Sequence, residues 1–226
     1  MLTEREIGER LEHVRGRIND SIKHAGRDPD CVRLVLASKT QPAAAVAAAF
    51  AAGARDFGEN YVQEAISKHS ALRELDIQWH LIGHLQSNKA RIAIETFSLI
   101  QTLDSERLAA ALFRLHPSPL MPVLIEINLA AEPSKSGIEP ARAEALINDV
   151  RGQVEIQGLM AIPPAGPTLD AARPFFTQLR ELRDRLARVT GLPLPELSMG
   201  MTEDFEVAIL EGATIVRVGR AVFGER

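Results

Sequence analysis

Cysteine is nearly missing. The 226-residue chain carries one, Cys31, so it has no internal disulfide and no thiolate cluster to hold a metal. Lysine is scarce as well: among 26 basic residues the lysines are Lys23, Lys39, Lys68, Lys89 and Lys135, and each is therefore easy to weigh. There is no excess of positive charge. With a formal net charge of −4 and a pI near 5.9, the chain lacks the clustered Lys and Arg that grip phosphates along a polynucleotide, and no nucleic-acid partner is expected. No apolar run approaches the roughly 18 residues that suggest a membrane span. The opening MLTEREIGERLEHV is charged and amphipathic where a secretory leader would be apolar. A cytoplasmic protein without a membrane partner is the expectation.

What is present is ordinary globular composition, 46% hydrophobic and 25% charged, at a length that one α/β barrel commonly occupies. A chain of this size buries about 70–75% of its unfolded surface, enough for a core without staples. Residues 1–226 are expected to form a single domain.

After a polar first helix over 4–25, short apolar runs alternate with helical patterns. The runs are 33–38 (RLVLAS), 55–58, 78–83 (QWHLIG), 97–102, 123–128 (VLIEIN), 155–162 (EIQGLMAI), 196–199 and 214–218 (TIVRV). Between them, apolar residues recur at three and four spacing over 42–52, 62–75, 105–115, 140–150 and 169–189, the helical period. Alternation of this kind implies right-handed βαβ units and a parallel sheet. Eight such units is the number that closes a TIM (β/α)8 barrel, here with an extra N-terminal helix. Several runs are short, so an open doubly wound sheet stays as an alternative. No Gly-x-Gly-x-x-Gly follows the first run, which disfavours a dinucleotide fold. The PPAGP stretch at 163–167 is too short for a domain linker and reads as a loop.

In a barrel, chemistry sits where strands end. The first run leads into Ser38-Lys39-Thr40. A lysine directly behind a buried strand is partly desolvated, which favours the neutral amine that attacks a carbonyl; the plain alternative is a lysine reaching out to solvent. At the other end of the chain, Ser198-Met199-Gly200-Met201-Thr202 and Arg217-Val218-Gly219-Arg220 supply hydroxyls and glycines after the seventh and eighth runs. Those are the makings of a phosphate site, or simply of helix caps by Ser198 or Thr202 and a turn at Gly219. Glu203 and Asp204 would repel phosphate and are expected to face outward. Between the two ends stand Asn60, His80, Asn128 and Met160, able to line a flat heterocycle. Each has a plainer reading: a helix cap for the asparagines, a core histidine, a core methionine. His80 and His84 have no acidic partner near in sequence and make a weak metal pair, since a catalytic zinc needs more protein ligands. No metal is expected.

A lysine for an aldehyde, a phosphate cradle and room for a ring are together what pyridoxal phosphate requires. The stretches VLASKT, FGENYVQE, WHLIGHLQSNK, NLAAEPSKSGI, GLMAIP, LSMGMTEDFEVAI and VRVGRAVFG resemble, in order, the signatures of the YggS/PROSC family of pyridoxal phosphate homeostasis proteins. The resemblance runs over 35–224. It implies a barrel like the N-terminal domain of alanine racemase, with pyridoxal 5'-phosphate held as an internal aldimine on Lys39 and no established turnover. It further implies a phosphate cradle of Ser198 with the backbone N–H groups of Gly219 and Arg220, ring-lining roles for Asn60 and Met160, and Arg217 facing the pyridine nitrogen. Arg220 departs from the family, where Thr is common; a backbone contact survives that change, and an arginine can substitute a charge-assisted bond for the hydroxyl.

Two function classes compete: a non-catalytic carrier that buffers pyridoxal phosphate and hands it to apo-enzymes, and a racemase or decarboxylase dependent on it. An arginine at the ring nitrogen keeps that nitrogen unprotonated and the ring a weak electron sink. The racemases of this barrel type also draw an acid/base group from a second domain, for which the eight residues after Val218 leave no room. A carrier, and a monomer, are expected. An aldolase-like use of Lys39 lacks an evident acid/base partner.

Overall fold

The computed structural model describes residues 2–130, 132, 136–164 and 169–225. Helix α1 (Glu4–His24) begins at a capping box in which Thr3 accepts from the Glu6 backbone and Glu6 reaches back to Thr3. Its buried residues Ile7, Leu11, Val14, Ile18 and Ile22 keep the three-and-four spacing of one helical face, each worth about 1.5–3 kcal/mol when fully buried. That face packs on α2 (Ala43–Ala51), α8 (Phe205–Leu210) and α9 (Arg220–Phe223).

Strands β1 (Arg33–Ala37), β2 (Asp56–Glu59), β3 (Gln78–Leu81), β4 (Leu99–Leu103), β5 (Pro122–Ile127), β6 (Glu155–Ala161), β7 (Glu196–Ser198) and β8 (Ile215–Val218) close in sequence order. Every pairing is parallel, and β8 returns to β1 with Leu34 opposite Val216 and Leu36 opposite Val218. That closing pair excludes the open sheet. Strands β2, β3, β7 and β8 hold only three or four residues each. They persist because closure gives each strand two neighbours and leaves no edge.

The crossovers carry α3 (Val62–Ala71), α4 (Ala90–Thr96), α5 (Glu106–Leu115), α6 (Ala143–Val150) and α7 (Arg173–Thr190) besides α2 and α8, and α9 follows β8. Helix α7 starts behind a 3-10 turn, Leu169–Ala172, and ends on Gly191 at φ 72. Helices α4 and α9 were not foreseen: seven and four residues are too short to display a helical period. The expected loop at 163–167 lies partly outside the described residues, as does Lys135.

Strand alternation divides the core in two. Outward residues such as Leu36, Phe57, Leu81, Ile100, Ile125 and Val216 join the helices in one large apolar cluster. Inward, Val35, Leu99, Leu124, Met160 and Ile215 form a small separate plug. Buried polar residues, among them His80, Gln101, Ser198 and Arg217, share the interior with it.

Candidate functional site

Parallel strands bring all their C-terminal ends to one rim. Lys39 follows β1, Asn60 follows β2, Asn128 follows β5, the 199–202 loop follows β7, and Gly219-Arg220 follows β8. Because Leu36 pairs with Val218, the chain leaving β1 runs beside the Gly219 turn. A Cβ added at Gly219 would stand 2.9 Å from the Ala37 carbonyl oxygen, an approach that only glycine permits. Lys39, half-buried, lies just beyond Ala37. The lysine and the Gly219 turn, distant in sequence, are thus adjacent on the rim.

Arg217 points into the barrel, 4% exposed. Its guanidinium donates to the Ser198 hydroxyl and, at 2.9 Å, to the Ala161 carbonyl, leaving other N–H groups over. An arginine only donates, so Ser198 accepts from it and sends its own proton to Gln101 Oε1 at 2.6 Å. The Gln101 amide then donates to His80 Nδ1 at 3.0 Å, and His80 Nε2 donates to Asp56 Oδ1 at 3.0 Å. Each bond direction follows from the one before it, which sets His80 in the Nε2–H tautomer. Five side chains on β2, β3, β4, β7 and β8 form one oriented relay from the lower barrel to the rim. Burial lowers the Arg217 pKa to about 10, with Asp204 and Glu126 acting in the opposite sense, so the group is charged at neutral pH.

Two of the expected residues lie deep on the inner wall. Ser198 is fully buried, and its hydroxyl links Arg217 to Gln101. Met160 is also fully buried, within the inner plug. His80 and His84 do have acidic partners, supplied from elsewhere in the barrel: Asp56 of β2, and Asp104 just after β4 at 3.2 Å from His84 Nδ1.

The remaining residues sort as follows. Asn60 is half-buried and does not cap α3, whose N-cap is Tyr61. It is pressed by the neighbouring loop, where a Cβ on Gly83 would meet the Asn60 carbonyl oxygen at 2.3 Å. Asn128 does not cap a helix either; it exchanges hydrogen bonds with the Glu132 backbone, at 2.9 and 3.2 Å. The Arg220 side chain turns outward to Glu203 at 3.0 Å, so this residue brings only its backbone to the rim. Glu203 is exposed as expected, but Asp204 folds back to accept from the Met201 N–H at 2.6 Å, and burial raises its pKa. Neither Ser198 nor Thr202 caps α8, whose N-cap is Asp204, without a side-chain cap bond.

Sequence reasoning missed Gln101, Asp56 and Glu126. Glu126 faces inward from β5, 6% exposed, accepts from the Ser136 hydroxyl at 2.8 Å, and is pushed to a higher pKa by burial. A polar residue at an inward position of an apolar strand, as in LIQTL and PVLIEI, is the signal that marks such groups.

Residues 11–226 match the family described as alanine racemase, N-terminal domain. The pyridoxal phosphate homeostasis protein of Pseudomonas aeruginosa is 45% identical over 224 residues, 97% of this chain and 96% of that one. That of Aquifex aeolicus is 43% identical over 222 residues, 96% of this chain and 97% of the other. PipY of Synechococcus elongatus PCC7942, solved with PLP bound, superposes with a TM-score of 0.84 at 41% identity, over 96% of this chain and 100% of its own. By matched length, identity and fold together, this chain belongs to the alanine racemase N-terminal domain family and, within it, to the pyridoxal phosphate homeostasis proteins.

Proposed function

We propose that this barrel binds pyridoxal 5'-phosphate at its C-terminal rim and serves pyridoxal phosphate homeostasis as a carrier. The observation that carries the reading is the Gly219 turn, held against Ala37 so closely that a Cβ would not fit, with Lys39 next to it. The N–H groups of Gly219 and Arg220 begin the four-residue α9 and offer donors to a phosphate at short range. Ser198 at the end of β7 and Thr202 in the loop after it supply the hydroxyls on this side, with Ser198 the expected phosphate contact. When bound, the cofactor supplies an aldehyde that condenses with a primary amine and releases water; Lys39 supplies that amine. Asn60 borders the same space from β2.

Arg217 faces the pyridine nitrogen in this reading. Its charge and its inability to accept a proton hold that nitrogen unprotonated, which weakens carbanion chemistry and favours carriage over conversion. The competing reading, a racemase or decarboxylase, would draw on the His84–Asp104 pair at the rim as its acid/base group. Recipient apo-enzymes approach this rim, where Tyr61, Ile162 and Met201 are exposed apolar residues. The single cysteine suits a reducing cytoplasm, no helix of the described residues is long and apolar enough to cross a membrane, and the proposed working form is one barrel as a monomer.

The test is a visible absorption spectrum of the purified protein loaded with pyridoxal 5'-phosphate, borohydride reduction, and mass mapping of the modified peptide. Reduction should fix the cofactor to Lys39, and Lys39→Ala should abolish that trapping. Full trapping on another lysine would overturn the assignment.

A further inference from the structure

Lys68 sits on α3 at 5% exposure, where an ammonium is costly to bury unless its N–H groups are matched. All of them are. Nζ donates to the Ser38 carbonyl at 2.7 Å, to Glu59 Oε1 at 2.6 Å and to Glu64 Oε1 at 2.7 Å. The two carboxylates reach the same turn from either side: the Ser38 hydroxyl donates to Glu59 Oε1 at 2.6 Å, and the Thr40 N–H donates to Glu64 Oε1. Ser38 and Thr40 are the residues that flank Lys39. Thr40 is moreover held at φ 66, a left-handed conformation that a β-branched residue adopts only when its surroundings impose it.

An ordinary Glu64–Lys68 pair one helical turn apart would lie on a solvated face and contribute about 0.3–0.5 kcal/mol. This one is buried, gains a second carboxylate from β2, and spends its remaining N–H on the carbonyl just before Lys39. Burial pushes the Glu59 carboxyl to a higher pKa while its bonds to Lys68 and Ser38 pull the other way, and its Oε2 has no partner among the described residues. Such a group is expensive, and an apolar packing of the same volume would hold α3 against the wall as well. What apolar packing would lack is direction.

We infer that Lys68, acting with Glu59 and Glu64, is a positioning residue for Lys39. From outside the barrel wall the three side chains clamp the Ser38–Thr40 turn, so that the Lys39 amine stands ready beside the Gly219 turn. The inference rests on the proposed binding of pyridoxal phosphate at Lys39 and adds what governs its retention. A held amine recaptures the aldehyde each time water releases it; a loose one lets the cofactor leave. The clamp therefore acts on the covalent attachment and not on the phosphate or the ring.

That distinction supplies the test. Pyridoxine 5'-phosphate has the same phosphate and ring but an alcohol in place of the aldehyde, so it samples the site without Lys39. Dissociation constants for it and for pyridoxal 5'-phosphate are measured by titration in the wild-type protein and in Lys68→Met. The variant should lose about tenfold in affinity for pyridoxal phosphate, the scale of a misplaced reacting group, and change less than about twofold for pyridoxine phosphate. A parallel loss for both ligands, the mark of general structural damage, overturns the inference, and so does no change for either. If Lys68→Met fails to fold, the partly exposed Glu64 is replaced instead: Glu64→Gln should give a selective loss of about threefold, and a parallel loss or none overturns the clamp in the same way. Borohydride trapping at Lys39 in the wild-type protein is the separate control. Its absence defeats the proposed function itself, whereas its presence with an unselective variant defeats only the clamp.

Discussion

Two buried polar networks serve the rim, one on each side of the barrel wall, and they are built differently. Outside, Lys68, Glu59 and Glu64 form a charged clamp between the wall and α3, converging on the turn of Lys39. Inside, Arg217, Ser198, Gln101, His80 and Asp56 form a chain with charge at its two ends and neutral groups between. The clamp holds a backbone turn by matched charge, while the relay holds one side chain by passing hydrogen-bond direction from strand to strand. The contrast follows from where each lies. A helix lends its ionic side chains to the outer wall, whereas the inner residues of successive strands meet side by side among Leu99, Leu124 and Met160.

The largest expected effect breaks the outer network. Removing Lys68 strands two carboxylates, one of them fully buried, so Lys68→Met should lower unfolding stability by about 3–5 kcal/mol, read from urea denaturation. Breaking the relay in the middle should be milder. Gln101→Leu leaves the Ser198 hydroxyl proton and His80 Nδ1 unmatched but strands no charge, and a loss of about 1–3 kcal/mol is expected. Equal losses, or the reverse order, would erase the distinction between a charged clamp and a neutral relay.

The smallest effect concerns Glu126, the inward carboxyl beside Arg217. Burial raises its pKa above the ordinary 4.5, so the folded state holds this proton more tightly than the unfolded chain does. Its contribution to stability is complete at low pH and is lost as pH rises through the raised value. Glu126→Gln keeps the bond from Ser136 and has nothing to ionise. Thermal melts of the two proteins should therefore nearly coincide near pH 4 and separate toward pH 8, the variant higher by about 1–3 °C. A gap that narrows toward pH 8 contradicts the assignment.

The difference between the networks also marks what could be read in the sequence. The eight runs were legible because each is apolar and bounded by turn residues, even DFGE and ELS, and the place of Lys39 and Gly219 on the rim was legible because both follow such a run. Lys68 was not. Its only sequence signal is Glu64 one helical turn before it, a pattern that most often lies in solvent, and the buried partner Glu59 arrives from another element. Gln101 was obscured for a different reason: which face of a short strand looks inward is settled by register around the closed barrel, and a shift of one residue would reverse it.

The relay matters to function only if Arg217 does what its position suggests, which is to keep the pyridine nitrogen unprotonated and the barrel a carrier. The 15N chemical shift of ring-labelled pyridoxal 5'-phosphate bound to the protein reports that directly. The shift should lie in the range of a neutral, hydrogen-bonded pyridine and stay there from pH 6 to pH 9, because the guanidinium beside it stays charged throughout. A pyridinium shift at any pH in that window would contradict this, and would return the racemase and decarboxylase readings to the front.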